Sequence, residues 1–230
     1  MARELIDALT RAFGWLRRFR RIELQPAAGP VKVNLGSSLL VAEGWVNVDG
    51  SLGALAAPLP RPMLRLVYRL SGMGPFLSEQ EYVETLKRNR FVHHNLEYGI
   101  PLPDACADYV FNSHFLEHLS RADGERLVRE TFRILRPGGV VRISIPDLAW
   151  MLSRFEAGEK FDSIEGFFDE DKGYFARHRF MYDEEMLSDL LRRAGFANPS
   201  RRAYREGRVP DLEVLDNRQG SLVMEAEKPA

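Results

Sequence analysis

Apolar positions in this chain follow two rhythms. Short segments rich in β-branched and aromatic residues at 31–35, 45–48, 91–94, 108–112 and 140–145 predict strands, the last one stopped by Pro146. Between and after them, apolar residues recur at three- and four-residue intervals. Leu127, Val128, Thr131, Phe132 and Leu135 share one face of a helix that Ser120 can cap and that Pro137-Gly138-Gly139 would end. Met186, Leu187, Leu190, Leu191 and Ala194 share another, capped by Asp183 and stopped by Gly195. A helix over 79–89 and closing strands near 201–205 and 222–227 complete the alternation, which predicts an α/β layered sheet.

Two stretches depart from it. Residues 50–78 contain no acid, carry Arg61, Arg65 and Arg69 among apolar residues, and include prolines at 58, 60, 62 and 75; they read as an irregular insertion with a helical turn or two. Residues 161–171 combine three Phe with a run of acids and read as a lid or an insertion over the sheet edge. At the start of the chain, Leu5, Ile6, Leu9, Phe13, Leu16 and Phe19 give helical spacing over 2–23, before Pro26 and Gly29-Pro30 break it.

Charge excludes more than it assigns. In 230 residues, 32 basic and 33 acidic side chains leave a net charge of −1, so no global field recruits nucleic acid, and no aromatic-basic stripe marks a nucleic-acid track. The single Cys106 excludes an internal disulfide and a Cys-rich zinc site and fits a reducing compartment. No run approaches the roughly 20 apolar residues of a membrane span, and charge interrupts the N-terminal apolar residues too often for a signal peptide. The expected location is cytoplasmic. Residues 1–30 hold six Arg against Glu4, Asp7 and Glu23. Their helix is expected to pack on its own domain or on a second copy in a homodimer, with peripheral contact at the inner membrane face as the alternative.

Two motifs carry candidate chemistry. In Asn34-Leu35-Gly36-Ser37-Ser38, a glycine just past the first strand allows a ligand close to the backbone, and Asp49 ends the second strand where a carboxylate can accept both hydroxyls of a ribose. Asp49 lies only thirteen positions beyond Gly36, too close for a full crossover helix, and serines stand where a dinucleotide fingerprint needs glycines. An NAD-dependent dehydrogenase is therefore disfavoured. The second motif is the series from His94-Asn95-Leu96 through Leu102-Pro103-Asp104, Asp108–Ser113, His114-Phe115-Leu116-Glu117-His118-Leu119, Arg133-Ile134-Leu135-Arg136-Pro137-Gly138-Gly139 and Pro146.

In order and spacing these segments resemble the class I S-adenosylmethionine-dependent methyltransferases, over 31–145 and again over 178–196. The Gly44-Trp45-Val46-Asn47-Val48-Asp49 segment with its short first loop is similar to the small methyltransferases found among bacterial cell-surface polysaccharide genes. The resemblance implies a Rossmann-like methyltransferase sheet, mostly parallel with an antiparallel final strand, helices on both faces and a shortened first crossover. It divides the chain into an amphipathic helix and linker (1–30) and a methyltransferase domain (31–230) with insertions at 50–78 and 147–180. Its cofactor would be S-adenosylmethionine. Leu35, Gly36 and Ser37 would line the methionine moiety and Asp49 would hold the ribose diol. Asn95 would accept from the adenine amino group, in place of the family's acid, and the Leu96 N–H would serve a ring nitrogen. Asn112, Ser113 and His114 would face the methyl group and the acceptor.

Methyl transfer to a hydroxyl calls for a general base, and His114, His118 and His178 are the candidates, His118 reading also as a structural residue of its loop. Glu117 reads as solvated, with support of a histidine tautomer as the alternative. No metal site is expected: His93 and His94 are adjacent on a strand, so their rings point to opposite faces, and no other cluster has ligand spacing. The implied reaction is methyl transfer to an oxygen, less readily a nitrogen, of a small or glycan acceptor. The rival reading is a non-catalytic binding or scaffold module, which Ser37-Ser38 and Asn95 motivate because they depart from the family pattern.

Overall fold

The computed structural model describes residues 2–24, 29–168 and 177–230. The break at Pro26 and the acidic end of the 161–171 stretch fall outside them.

Seven strands form one sheet among the described residues: β1 (Lys32–Leu35), β2 (Trp45–Asp49), β3 (Arg90–His93), β4 (Ala107–Ser113), β5 (Leu135–Ile145), β6 (Ala197–Arg201) and β7 (Leu222–Glu227), in the order β3-β2-β1-β4-β5-β7-β6. The neighbours from β3 through β5 run parallel, while β7 is antiparallel to both β5 and β6. The strand order reverses between β1 and β4, so the carboxyl ends of these two strands flank the crevice where such sheets take ligands. The central strands are buried on both faces, so Asn34, Asn47 and Asn112 are buried along with the apolar residues of the same strands.

On one face Val33, Leu35, Val46, Val48, Val110 and Ile143 pack in a continuous core with Leu127 and Val128 of α5 (Arg121–Ile134) and Leu187 and Leu191 of α8 (Glu184–Arg193). On the other, Trp45, Phe111 and Val140 pack under Leu212 and Leu215 of α9 (Leu212–Leu215). The helices begin where their caps dictate. The Ser120 hydroxyl accepts from the Asp123 N–H at 3.2 Å, and Asp183 accepts from the Met186 N–H at 2.8 Å.

The structure corrects several element expectations. Residues 50–78 are mostly helical, with α2 (Leu52–Ala56) and the three-turn α3 (Arg61–Ser71). The prolines there start the helix instead of breaking it: Pro60 is the N-cap residue of α3 and Pro62 lies in its first turn, where a missing N–H costs nothing. Together with α4 (Glu79–Arg88), this insertion closes a separate small core of Ala56, Leu64, Tyr82, Val83 and Leu86. Pro137-Gly138-Gly139 does not end α5, which stops at Ile134, but lies within β5, where Gly138 takes φ +77° and the pairing with β4 shifts register. β6 comes four residues earlier than expected, with an irregularity at Asn198, φ +51°. The segment after Asp147 begins as two helices, α6 (Leu148–Glu156) and α7 (Lys160–Phe168).

One polar group in the sheet has no precedent in the apolar pattern. Arg142, in the middle of β5, is fully buried, paired with Asp216 and, at 3.0 Å, with Glu225. It also donates to the carbonyls of Glu206 and Ala203, at 2.9 and 3.2 Å. The two carboxylates in turn accept the N–H groups of Arg205 and Arg208. This network fastens the 203–216 segment across the second face of the sheet.

Candidate functional site

β1 runs into Gly36 at φ +67°, and a Cβ there would lie 2.1–2.5 Å from Phe115. Both the backbone conformation and the close approach of the Phe115 ring require glycine. Ser37 is buried behind it, and Ser38, at φ +46°, donates its N–H to Asp49 at 2.8 Å. The other Asp49 oxygen accepts the Ser51 N–H at 2.7 Å. This buried carboxylate therefore ties the loop after β1 to the start of α2, and each of its oxygens retains acceptor capacity. Across the crevice, Asn112 donates to the Leu35 carbonyl at 2.9 Å, while its side-chain oxygen is buried with no hydrogen-bond partner. Ser113, half-buried, ends β4 beside it.

At the β3 end the geometry differs from expectation. The Asn95 side-chain oxygen accepts the Glu97 N–H at 3.0 Å and its amide donates to the Glu97 carboxylate at 3.1 Å, so it caps the 3-10 turn Leu96–Tyr98, whose Leu96 is buried. Asn95 is itself covered by α1 (Ala2–Leu16): a Cβ at Gly14 would sit 2.8 Å from it, and Arg17 just beyond the helix reaches His93 at 3.5 Å. The N-terminal helix thus packs on its own domain, over the end of β3 and the turn that follows it.

His114 follows β4 in a strained conformation, φ +48°, of the kind that persists only where surroundings enforce it. Its Nε2 lies 2.9 Å from the Ser221 hydroxyl; its Nδ1 lies 3.3 Å from the Arg218 guanidinium and 3.3 Å from Glu117 Oε1. It borders a cleft of about 350 Å³ that also involves Asp147, Trp150, Arg154, Arg218 and Ser221. Trp150 is 54% exposed and presents its ring at that cleft. A cleft of about 310 Å³ beside β6 and β7 lies by Val140 and Glu227, toward the opposite end of the parallel strands.

Glu117 overturns the solvated expectation: it is 1% exposed, neither carboxylate oxygen makes a hydrogen bond among the described residues, and His114 Nδ1 lies 3.3 Å from Oε1. The segment before α8 closes over it, with the Arg179 and Phe180 N–H groups donating to the Glu117 carbonyl at 2.7 and 3.2 Å. That packing brings His178 to His118, ring centroids 5.1 Å apart. Glu117, His118 and His178 each offer a donor atom within 4.8 Å of the others, a cluster that linear spacing conceals because the two histidines are sixty residues apart.

Comparison with known proteins fits this geometry. Residues 52–143 match the methyltransferase domain family, a segment that begins just past Asp49 and so excludes Gly36. A probable S-adenosylmethionine-dependent methyltransferase of Mycobacterium tuberculosis is 32% identical over 179 residues, 78% of this chain and 56% of that protein. One of the same description from Mycolicibacterium smegmatis is 31% identical over 144 residues, 61% of this chain and 49% of that protein. The chain thus spans about half the length of the curated relatives it matches. Among solved structures, an S-adenosylmethionine-dependent methyltransferase of Thermotoga maritima, described as a possible histamine N-methyltransferase, superposes with TM-score 0.50 at 19% identity, covering 96% of this chain and 91% of that one. The fold is that of the S-adenosylmethionine-dependent methyltransferases.

One flank of the fold is expected to be acid-sensitive. His94 is 1% exposed, and burial, with the neighbouring His93 next in weight, pushes its pKa down to about 4; burial and then the Arg17 cation also lower that of His93. Both rings are therefore neutral in the folded chain near pH 7. Above the ordinary histidine value of about 6.5, His94 is neutral folded or unfolded and its contribution is intact. Between there and about 4 the unfolded chain binds a proton that the fold refuses, so stability falls with a slope of up to about 1.4 kcal/mol per pH unit. Urea unfolding at pH 7.5, 6 and 5 is expected to show this loss, and His94→Gln is expected to flatten it. An unchanged slope in the variant would assign the acid sensitivity elsewhere.

Proposed function

We propose that this chain transfers a methyl group from S-adenosylmethionine to an oxygen, less readily a nitrogen, of a small or saccharide-like acceptor held in the cleft beside His114. The observation that carries this reading is His114 itself. A histidine in strained backbone at the carboxyl end of β4, hydrogen-bonded to Ser221, borders a cleft that pairs an exposed indole with two guanidinium groups.

The residues present fit the cofactor in three places. Asp49 has acceptor capacity left for a diol, Gly36 brings backbone close to the crevice, and the orphaned Asn112 oxygen would be satisfied by an ammonium. Asn95 fits less well, since its oxygen already serves the Glu97 N–H. When bound, S-adenosylmethionine supplies a methyl group on a sulfonium, open to in-line attack, so orientation and exclusion of water do much of the work. Phe115 over Gly36 and α1 over Asn95 supply the exclusion. His114 takes the acceptor proton on a ring nitrogen, with Glu117 beside Nδ1 to support the resulting charge. The Trp150 ring, with the Arg154 guanidinium 4.8 Å from its centroid, offers its other face to a sugar, and Arg218 offers donors to its hydroxyls.

Calorimetric titration with S-adenosylmethionine and S-adenosylhomocysteine tests the cofactor half. Micromolar binding is expected, weakened by about tenfold to a hundredfold in Asp49→Ala, the scale of one or two hydrogen bonds to a charged group. A folded chain that binds neither ligand would sink the enzyme reading in favour of a scaffold. Release of S-adenosylhomocysteine on addition of sugars or lipid-linked sugars, abolished in His114→Ala, tests the acceptor half.

A further inference from the structure

We propose that Glu117, His118 and His178 form a site for one divalent transition-metal ion on the acceptor side of the sheet. The ligand set is one carboxylate and two imidazoles, with donor atoms within 4.8 Å of one another. Bonds of about 2.0–2.2 Å to a common ion would bring such donors to about 3–3.5 Å apart, a closure of rotamer scale. Imidazole ligands favour zinc, iron, cobalt or nickel over magnesium or calcium.

The independent observation is the state of Glu117. A carboxylate 1% exposed, with neither oxygen hydrogen-bonded among the described residues, stands against the strong rule that buried charges are paired. Its contact with His114 at 3.3 Å is not a hydrogen bond and engages Oε1 alone. A cation between Glu117 and the two rings satisfies it. The surroundings also orient a ligand: His118 Nδ1 lies 3.1 Å from the Arg177 carbonyl, and donation of Nδ1–H to that oxygen fixes the tautomer that leaves Nε2 to bind metal. The 177–180 segment is held against the loop after β4 by the two N–H groups donated to the Glu117 carbonyl, so ligands from distant parts of the chain share one rigid corner.

Three protein ligands leave coordination positions open for a hydroxyl oxygen of the acceptor. There the O–H bond weakens, the proton passes to His114 and the oxygen keeps the electron pair. That oxygen forms the new bond to the methyl carbon while the carbon–sulfur bond breaks and sulfur keeps its pair. This use of the ion rests on the methyl-transfer reading; the binding of the ion does not.

The test is titration of the chelator-treated full chain with cobalt(II), followed by its visible ligand-field absorption, with zinc(II) competing. S-adenosylhomocysteine is titrated into the same samples. One cobalt per chain is expected, displaced by zinc. Glu117→Gln and His178→Ala are each expected to weaken it at least about tenfold, the loss that even an outer partner of a metal site can cause. Circular dichroism checks that the variants fold, and should Glu117→Gln fail, the half-buried His178 still decides. No saturable binding by the folded parent chain, or binding that survives either substitution, overturns the proposal. S-adenosylhomocysteine binding without cobalt sinks the metal site alone, and cobalt binding without S-adenosylhomocysteine sinks the methyl-transfer reading alone.

Discussion

Replacing Asp216 by Ala is expected to cost about 3–5 kcal/mol, enough to unfold much of the population of a marginally stable domain. The reason is what the substitution leaves behind. Arg142 is fully buried, and Asp216 and Glu225 neutralise it from two sides. With Asp216 gone, its guanidinium keeps one carboxylate, and the Arg205 N–H loses an acceptor that now sits at 2.9 Å. Replacing all three charges by apolar residues can leave some proteins unharmed. Here it is expected to recover only part of the loss, because the carbonyls of Ala203 and Glu206 and the N–H groups of Arg205 and Arg208 would have no partners. Gly207 sharpens the point, since a Cβ there would lie 2.1 Å from Glu225 and 2.6 Å from Arg142, so the loop cannot relax inward. Urea unfolding of Asp216→Ala and of an Arg142→Met, Asp216→Leu, Glu225→Met chain decides. A triple variant as stable as the parent would show that the loop finds its hydrogen bonds elsewhere.

The second large effect is expected at Gly36. Gly36→Val is predicted to abolish measurable S-adenosylhomocysteine binding and to lower stability by about 2–4 kcal/mol, from positive φ on a β-branched residue plus overlap with the Phe115 ring. The two causes separate in a cycle. Phe115→Ala added to Gly36→Ala removes the overlap but not the backbone strain, so it is expected to restore part of the stability lost by Gly36→Ala. Full restoration would mean that φ at this position matters little; none would mean that the ring is not the obstacle.

How much of this was legible beforehand depends on the range of the forces involved. The parallel strands were, because short segments rich in β-branched and aromatic residues stand between turn and helix signals, and the helix starts at Ser120 and Asp183 were, because a cap is a contact over three residues. The thirteen-residue spacing from Gly36 to Asp49 likewise left no room for a helix, and none forms there. The prolines of 58–62 misled because proline is judged as a breaker until its position in the first turn is known. Burial of Glu117 and Arg142 was not legible at all. The groups that close over them, at 177–180 and 203–225, lie some sixty to eighty residues away, and no local pattern announces such a meeting. At the site, the residues around Gly36, Asp49 and Asn112 were singled out from local motifs. Phe115 stood inside the same motif unnoticed, and Trp150, Arg218 and Ser221 come to the cleft only through the fold.

The placement of β7 between β5 and β6 bears on how the chain is made as well as how it stands. Synthesis runs in one direction, and β6 (Ala197–Arg201) is made before its partner strand β7. Until Leu222–Glu227 follow, β5 presents an open edge beside a core already assembled from β1 to β4, the sort of edge that pairs with other chains. The nascent protein is thus expected to carry this open edge from the completion of β5 at Ile145 until the seventh strand, which starts at Leu222, slots in.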